Sequence, residues 1–147
     1  MKKKEMPLIL KMGYVNHMLF KRSVGMMEAA GLSRGMPMIL DYLHEKGSCI
    51  QRELAEQHHM NPASVTSALN TMESCGFIAR TPTENDKRAI SVSLTELGQQ
   101  KHAELQEIHG EIERICLGAL TAEQKSSFDE CLNVIIGTMK KIDERAV

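Results

Sequence analysis

Two short stretches of the sequence carry side chains suited to recognising a ligand: a predicted helix from Pro62 to Cys75 and a charged cluster from Asp86 to Arg88. At about 100° per residue, the helix places Val65, Leu69 and Met72 on one side. The opposite side has small or polar residues, namely Ala63, Ser67, Asn70 and Ser74, with Thr66 and Thr71 at its edges. Ordinary solvated faces are richer in Lys and Glu. This face instead fits the major groove of DNA, where Asn, Ser and Thr bond to base edges.

The residues before this helix predict a helix-turn-helix. Asn61 offers a side-chain oxygen to the first free amides of the helix, and the missing N–H of Pro62 costs nothing at that position. A shorter helix precedes it, joined by a turn through His59 to Asn61. This motif places its second helix in the major groove.

The start of the shorter helix has two candidate caps. Ser48 and Gln51 have the spacing of a capping box, and Ile50 is an alternative cap position. The helix is expected to end by about Met60.

A β-ribbon that follows the second helix carries the charged cluster. Phe77 to Thr81 is predicted as one strand, Pro82 to Lys87 as the turn, and Arg88 to Leu94 as the return strand, where apolar and polar residues alternate. Such a ribbon is the wing of a winged helix. Its cationic tip suits the minor groove, whose negative potential attracts the Arg88 side chain. Asp86 is expected to hold the Arg88 guanidinium in a bidentate pair and so to support the wing.

The predicted DNA contacts come from the two helices and the ribbon. Arg52 and Arg80 are assigned to the phosphate backbone, and the helix side chains to bases or nearby phosphates. The full set is Arg52, Asn61, Ala63, Ser64, Thr66, Ser67, Asn70, Thr71, Arg80, Lys87 and Arg88.

The charge of this region is not that of a basic domain. The whole chain has a net charge of −1, and between Ser48 and Thr95 four cationic residues are outnumbered by five acidic ones. Nonspecific DNA binding depends on neutralising phosphates, so we predict that it is weak here. Specificity then rests on shape, helix amides and a few placed cations.

The rest of the chain predicts helices. The 147 residues suffice for one core, and the composition of 42% hydrophobic residues, 3% aromatic residues and 11 Met suits helix packing. One helix is predicted from Leu8 to Ala30, closed by Gly31, and a second is capped by Ser33 and ends at Gly47. The fold class is therefore mainly α with a small β-wing.

Two further helices after Thr95 have apolar seams that need partners. Apolar residues recur every three or four positions, at Leu105, Ile108, Ile112 and Ile115 in one helix and at Phe128, Leu132, Ile135, Met139 and Ile142 in the other. Thr121 and Gln124 form a capping box at the start of the last helix.

Several classes of protein are disfavoured. The apolar run near the start stops at Lys11, too short for a signal peptide, and no stretch approaches the roughly 18 apolar residues of a membrane span. A cytoplasmic protein without a membrane partner is expected. The motifs of serine hydrolases, P-loop enzymes, zinc proteases and dinucleotide enzymes are absent from the sequence, so neither an enzyme nor a cofactor is predicted.

Six His and four Cys leave a metal or redox sensor as an alternative. The four Cys show no C-x-x-C pair, and buried free thiols are the simpler interpretation. His102, His109 and Cys116 lie seven residues apart, about 10.5 Å of helix rise, which is too far to share one zinc ion. His109 and Glu113 are a better-spaced pair, which His44 could join only through tertiary folding. No metal site is predicted.

The stretch from Gln51 to Gly98 resembles the MarR-type winged-helix transcriptional regulators. The resemblance is carried by the E-L-A helix, the second helix, the D-x-R wing and the closing L-T-x-x-G, and Gly31 to Leu43 is similar to the second helix of that family. Ile50 departs from the Thr or Ser that usually precedes Q-x-E-L-A.

The resemblance implies a single MarR-like unit over residues 1–147. Residues 33–95 would form the winged helix-turn-helix lobe, and residues 6–30 and 96–145 the dimerisation helices. The implied protein is a homodimer that binds a pseudo-palindromic operator, more often as a repressor, with a small-molecule effector between the dimer helices and the lobe. A metal- or redox-sensing regulator of the same fold and a winged helix used for protein contacts stay as alternatives.

Overall fold

The chain is mainly helical with one small antiparallel sheet, which confirms the predicted fold class. The computed structural model describes residues 6–57 and 60–145; His58, and His59 at the start of the predicted turn, lie outside them. The elements are α1 (Leu8–Ala29), α2 (Met36–Lys46), β1 (Ser48–Ile50), α3 (Gln51–Gln57), α4 (Pro62–Ser74), β2 (Ile78–Pro82), β3 (Ile90–Leu94), α5 (Glu96–Leu117) and α6 (Ala122–Arg145). Among the helices in these described ranges, none is long and apolar enough to cross a membrane.

The sheet has three strands in the order β1-β3-β2, and β1 was missed by the sequence analysis. Cys49 pairs with Val92 on one side of β3, and Arg80 pairs with Val92 on the other. Val92 is fully buried and forms the centre of the sheet. The predicted wing strands are confirmed, although the return strand begins at Ile90 rather than Arg88.

The presence of β1 also changes the start of α3. Ser48 lies in the strand, so the capping box predicted for Ser48 and Gln51 is wrong. Instead, the Ile50 backbone N–H donates to Oε2 of Glu53 at 2.8 Å, which makes Ile50 the cap position. A carboxylate three residues into the helix satisfies an amide that the helix leaves free.

Gly35, and not Ser33, precedes the first turn of α2. Gly35 has φ of 89°, a left-handed conformation that a residue with a side chain rarely adopts. Pro37 in the first turn then continues the helix without needing its missing N–H. The predicted Ser33 cap is therefore wrong by two residues.

The core lies between α2, α4 and the sheet. Val65, Leu69 and Met72 are buried as predicted, and Ala68 joins them. From α2 the buried residues are Met36, Ile39, Leu40 and Leu43, and α5 adds Leu105. The packing of this core fixes the direction in which the other side of α4 points.

A joint between the end of α4 and the start of α5 explains the L-T-x-x-G motif. The Thr95 hydroxyl donates to the Gly76 carbonyl and accepts from the Gly98 N–H at 3.0 Å. The Thr95 N–H also donates to the Phe77 carbonyl at 3.0 Å. A Cβ on residue 98 would overlap that same carbonyl, so only glycine fits at Gly98.

The chain divides into two compact units, Met1–Gly110 and Glu111–Val147. In the second unit, the predicted capping box is confirmed, because the Gln124 N–H bonds to the Thr121 hydroxyl at 3.2 Å and the Thr121 N–H bonds to Oε1 of Gln124 at 2.9 Å. None of the described residues of α6 is buried. The same is true of α1, in the first unit.

Candidate nucleic-acid interface

Local signals at both ends determine the length of α4. Oδ1 of Asn61 accepts the Ala63 N–H at 2.8 Å, which confirms the predicted cap. At the other end Gly76 has φ of 76°, and the Phe77 N–H bonds back to the Met72 carbonyl at 2.8 Å. The 13 residues give a helix of about 20 Å, long enough to cross a groove.

The outward face of α4 is exposed at every position predicted from the sequence. All seven residues assigned to DNA at or near this helix are accessible to solvent: Asn61, Ala63, Ser64, Thr66, Ser67, Asn70 and Thr71. Their exposure is what a base-reading surface requires. Their contact with DNA stays a prediction.

The hydroxyl groups of this face differ in which hydrogen bonds they can still make to a ligand. Thr66 donates to the Pro62 carbonyl at 3.0 Å and accepts from Nε2 of Gln51 at 3.2 Å, so it also ties α3 to α4. Thr71 donates to the Ser67 carbonyl at 3.1 Å and is left as an acceptor. Among the described residues, the Ser67 hydroxyl has no internal partner and can donate or accept.

Arg80 is placed against the C-terminal half of α4. Its Nη2 donates to Oδ1 of Asn70 at 2.7 Å, and its Nε lies 3.6 Å from Oε2 of Glu73. A guanidinium has five N–H donors, so these contacts leave others able to reach a phosphate. The phosphate contact of Arg80 therefore stays a prediction.

Hydrogen bonds within the loop shape the wing tip. The Thr83 hydroxyl donates to the Asp86 carbonyl and accepts from the Asp86 N–H at 3.2 Å. Oδ1 of Asp86 accepts the backbone N–H of Arg88 at 2.9 Å, where a bidentate pair with its guanidinium was expected. Asp86 thus supports the wing through the backbone, and the side chains of Lys87 and Arg88 are exposed at the tip.

Two clefts flank α4 and show which predicted residues come together. The first lies between α3, the start of α4 and the wing, and it brings Arg52, Thr66 and Arg88 around one space. Arg52 also pairs with Glu56 at 3.4 Å on the exposed surface of α3. Exposed pairs of this kind are worth little, so this one leaves the guanidinium free to exchange partners.

The second cleft contains two residues that the sequence analysis missed. Ser33 and Arg34, from the loop before α2, line it together with Ser64, Ser67 and Thr71 of α4. No motif marks Arg34 in the sequence, because it reaches α4 only through tertiary packing.

Two of the histidines, His44 and His102, form a stacked pair, and each has its own hydrogen-bond partner. The rings of His44 and His102 stack with centroids 3.9 Å apart. Nδ1 of His44 lies 2.8 Å from Oε1 of Gln99, and Nε2 of His102 lies 3.0 Å from Oδ1 of Asp41. In the described part of the chain, no three His, Cys, Asp or Glu residues are arranged to hold a metal ion.

The cysteines are less uniformly buried than expected. Cys49 is buried in the sheet, Cys116 is half-buried, and Cys75 and Cys131 are exposed. Burial, together with the nearby Glu53 carboxylate, raises the pKa of the Cys49 thiol to about 11. Cys49 therefore stays protonated at neutral pH and is a poor redox sensor.

A helix with an exposed polar face, preceded by a short helix and followed by a β-ribbon, defines a winged helix-turn-helix protein. Residues 32–90 match the model of the MarR family. The resemblance predicted from the sequence is confirmed over residues 32–90, which match that family model, and the fold is that of MarR-type winged-helix proteins.

Two curated relatives come from Bacillus subtilis. The HTH-type transcriptional regulator YwhA is 31% identical over 90 residues, which is 61% of this chain and 65% of YwhA. The HTH-type transcriptional repressor MdtR is 34% identical over 79 residues, which is 54% of this chain and 51% of MdtR. The chain thus spans less than two thirds of the length of either relative.

Solved structures of MarR from E. coli share the fold. One mutant superposes with a TM-score of 0.80 at 19% identity, covering 91% of this chain and 99% of that one. The same mutant complexed with operator DNA gives a TM-score of 0.69 at 20% identity, covering 88% and 99%. At these identities the likeness establishes the fold alone.

Proposed function

We propose that the protein is a transcriptional regulator that binds specific sequences of double-stranded DNA. The observation that carries the proposal is the exposed small polar face of α4, held outward by the buried Val65, Leu69 and Met72 on its other side. A helix with side chains is about 10–12 Å across, which matches the width of the major groove. Asn70 and Ser67 would read base edges, and Asn61 would present the start of the helix to a phosphate.

The wing supplies the cations that the helix lacks. Lys87 and Arg88 are exposed at a tip whose backbone is held by the Asp86 and Thr83 bonds, so their side chains start from a fixed position. Arg88 would enter the minor groove beside the major groove that holds α4. Arg52 would meet a phosphate across the first cleft.

We propose that two copies of the chain bind one operator. The exposed apolar residues of α1 include Leu8, Ile9 and Phe20, and those of α6 include Phe128 and Ile135. A soluble protein rarely leaves such faces uncovered, and a second copy would bury them. Two lobes on one side of the duplex would then read half-sites about 34 Å, or roughly ten base pairs, apart.

The proposed mode of regulation is repression that a small-molecule effector relieves. Repression is favoured because MdtR is named a repressor and the E. coli MarR mutant was crystallised with operator DNA. A small-molecule effector would act in the cytoplasm by binding one spacing of the two lobes better than another. The second unit and α1 would determine that spacing.

The test begins with a gel shift against duplexes from the promoter next to the protein's own gene. Arg88→Ala should weaken binding to the shifted duplex by about 1–3 kcal/mol and leave sedimentation unchanged. Lys46→Ala is the matched control, because it removes one positive charge from the same lobe at the end of α2. That variant should bind like the wild type.

The outcomes separate the proposal from its rivals. Equal binding by Arg88→Ala and wild type would show that the wing does not touch DNA. Failure of the wild type to bind any duplex, with retained capture of a protein ligand, would favour the winged helix as a protein-interaction module.

A further inference from the structure

One side-chain contact joins the β-ribbon to the DNA-facing surface of α4. Arg80 lies in β2, opposite Val92 of the central strand, and its Nη2 donates to Oδ1 of Asn70 at 2.7 Å. The bond is short and carries a charge on the donor, which makes it one of the stronger types of hydrogen bond. The Arg80 side chain is 19% exposed, so this bond is partly shielded from water.

The chemistry of the two groups fixes which way the Asn70 amide is turned. A guanidinium has donors and no acceptor, whereas an amide has one acceptor oxygen and one NH₂ donor. The oxygen of Asn70 must therefore face Arg80, and the NH₂ group faces away from the ribbon. An unrestrained Asn reads adenine with both groups, accepting from N6 and donating to N7.

The surroundings hold Arg80 in this position. Oε2 of Glu73, one turn from Asn70 on α4, lies 3.6 Å from Nε of Arg80, so its charge partly offsets that of the guanidinium. Nε is buried and has no hydrogen-bond partner in the described part of the chain. A guanidinium placed between Asn70 and Glu73 is directed at the helix, unlike the exposed Arg88 at the wing tip.

We infer that Arg80 is a positioning residue for base recognition. It turns the Asn70 amide so that its NH₂ group is presented to DNA, where it pairs with acceptors such as guanine N7 and O6, adenine N7 or thymine O4, and disfavours cytosine, which offers N4–H. Arg80 thus selects the base read by Asn70 without touching that base. The inference rests on the proposed function, since it assumes that α4 enters the major groove.

The test is a selection from a randomised duplex library by the full-length protein. The wild type is compared with Arg80→Met, Asn70→Ala and Asn70→Asp, and Arg52→Ala serves as the matched loss of a predicted phosphate contact. Circular dichroism and thermal unfolding establish that each variant is folded. The readout is the base preference at every position of the half-site, together with the affinity for the best sequence.

The expected result is a change at one position of each half-site. Asn70→Ala should abolish the preference there, and Arg80→Met should alter it at the same position by at least about fivefold, towards adenine, because the freed amide can use both groups. Asn70→Asp keeps an oxygen for Arg80 and replaces the outward NH₂ with an oxygen, so the preference should move towards cytosine. Arg52→Ala should weaken binding to all sequences alike.

Three outcomes would overturn the inference. If Arg80→Met lowers affinity equally for every sequence, as Arg52→Ala does, then Arg80 is a phosphate contact alone. If Asn70→Ala leaves the base preferences unchanged, then Asn70 reads no base. If Arg80→Met does not fold, Asn70→Asp decides, and an unchanged preference in that variant refutes the inference.

Failure of the proposed function looks different from failure of this inference. A wild type that enriches no sequence and binds no duplex removes both together. A wild type with a clear half-site, but with preferences that are independent of Arg80 and Asn70, removes the inference and leaves the proposed function intact.

Discussion

Helices α4 and α6 have similar apolar patterns, but the apolar side is buried in α4 and exposed in α6. The apolar side of α4 is covered by its own chain, with Leu69 and Met72 fully buried. In contrast, α6 is 24 residues long, has no buried residue among those described, and exposes Ile135 and Met139.

The difference shows that an apolar stripe predicts burial against another surface but does not identify that surface. For α4 the cover is the lobe itself, so its polar side is left for a ligand. For α6 we propose a second copy of the chain. Four predictions test this contrast, from the largest expected effect to the smallest.

Truncation of a buried apolar residue of α4 should cause the largest loss of stability. Leu69→Ala removes a fully buried side chain and should lower the free energy of unfolding by about 2–5 kcal/mol, through lost burial and the cavity left behind. Val134→Ala in α6 is the control, because Val134 is 70% exposed and lies off the apolar seam. Urea unfolding at one fixed protein concentration measures both. Similar losses in the two variants would show that the Val134 side of α6 is covered as well as the apolar side of α4 is.

Charge in the α6 seam should break the proposed dimer and spare the lobe. Ile135→Glu with Met139→Glu should weaken association by at least about 2 kcal/mol, because buried interface positions of this kind dominate affinity. Sedimentation over a range of concentrations measures the change. Val134→Glu adds the same charge off the seam and should associate like the wild type. A wild type that sediments as a monomer at micromolar concentration would contradict the dimer proposal directly.

Loss of the Asn61 cap of α4 should lower stability by less than loss of the buried Leu69 side chain. Asn61→Ala leaves the Ala63 N–H without its 2.8 Å acceptor and should cost about 1 kcal/mol of stability. Asn61→Asp keeps an acceptor oxygen and should stay near the wild type. Hydrogen exchange of the first turn of α4 locates the loss. Unchanged exchange in Asn61→Ala would show that the Pro62 start suffices without the cap.

The Cys49 thiol should have the smallest effect on stability, and this effect should depend on pH. The pKa of Cys49 rises from 9.0 to about 11 on burial, so the folded state holds the thiol proton more tightly than the unfolded chain. Its contribution to stability is complete below pH of about 9 and is lost as the pH rises through about 11. The stability difference between wild type and Cys49→Ala should therefore shrink over that interval.

Alkylation at pH 8, read by peptide mass spectrometry, is the direct check. Cys131, exposed in α6, should be modified well before the buried Cys49. Rapid modification of Cys49 in the folded protein would show that the sheet opens more readily than its packing suggests.

Sequence reasoning recovered the features that neighbouring residues determine. The Asn61 and Pro62 start of α4, the Gly76 end and the capping box of α6 each depend on groups within a few positions, and all three are confirmed. The outward set of α4 followed from helical spacing alone, and all its members are exposed.

The misses share a different origin, which is tertiary contact. The strand β1 has three residues and no alternation of its own, and it exists because Cys49 pairs with Val92 of β3, far along the chain. The cap predicted at Ser33 was overridden by the left-handed Gly35. The bond from Arg80 to Asn70 joins a strand to a helix, and no local pattern predicts it.

The hydroxyl of Thr95 bonds to the ends of two helices at the same time. Because the same oxygen serves the Gly76 carbonyl and the Gly98 amide, breaking it would loosen two helix ends at once. With no room for a side chain at Gly98, the first turn of α5 sits directly on the backbone that closes α4. A rotation of α5 at this contact would therefore also move the end of α4.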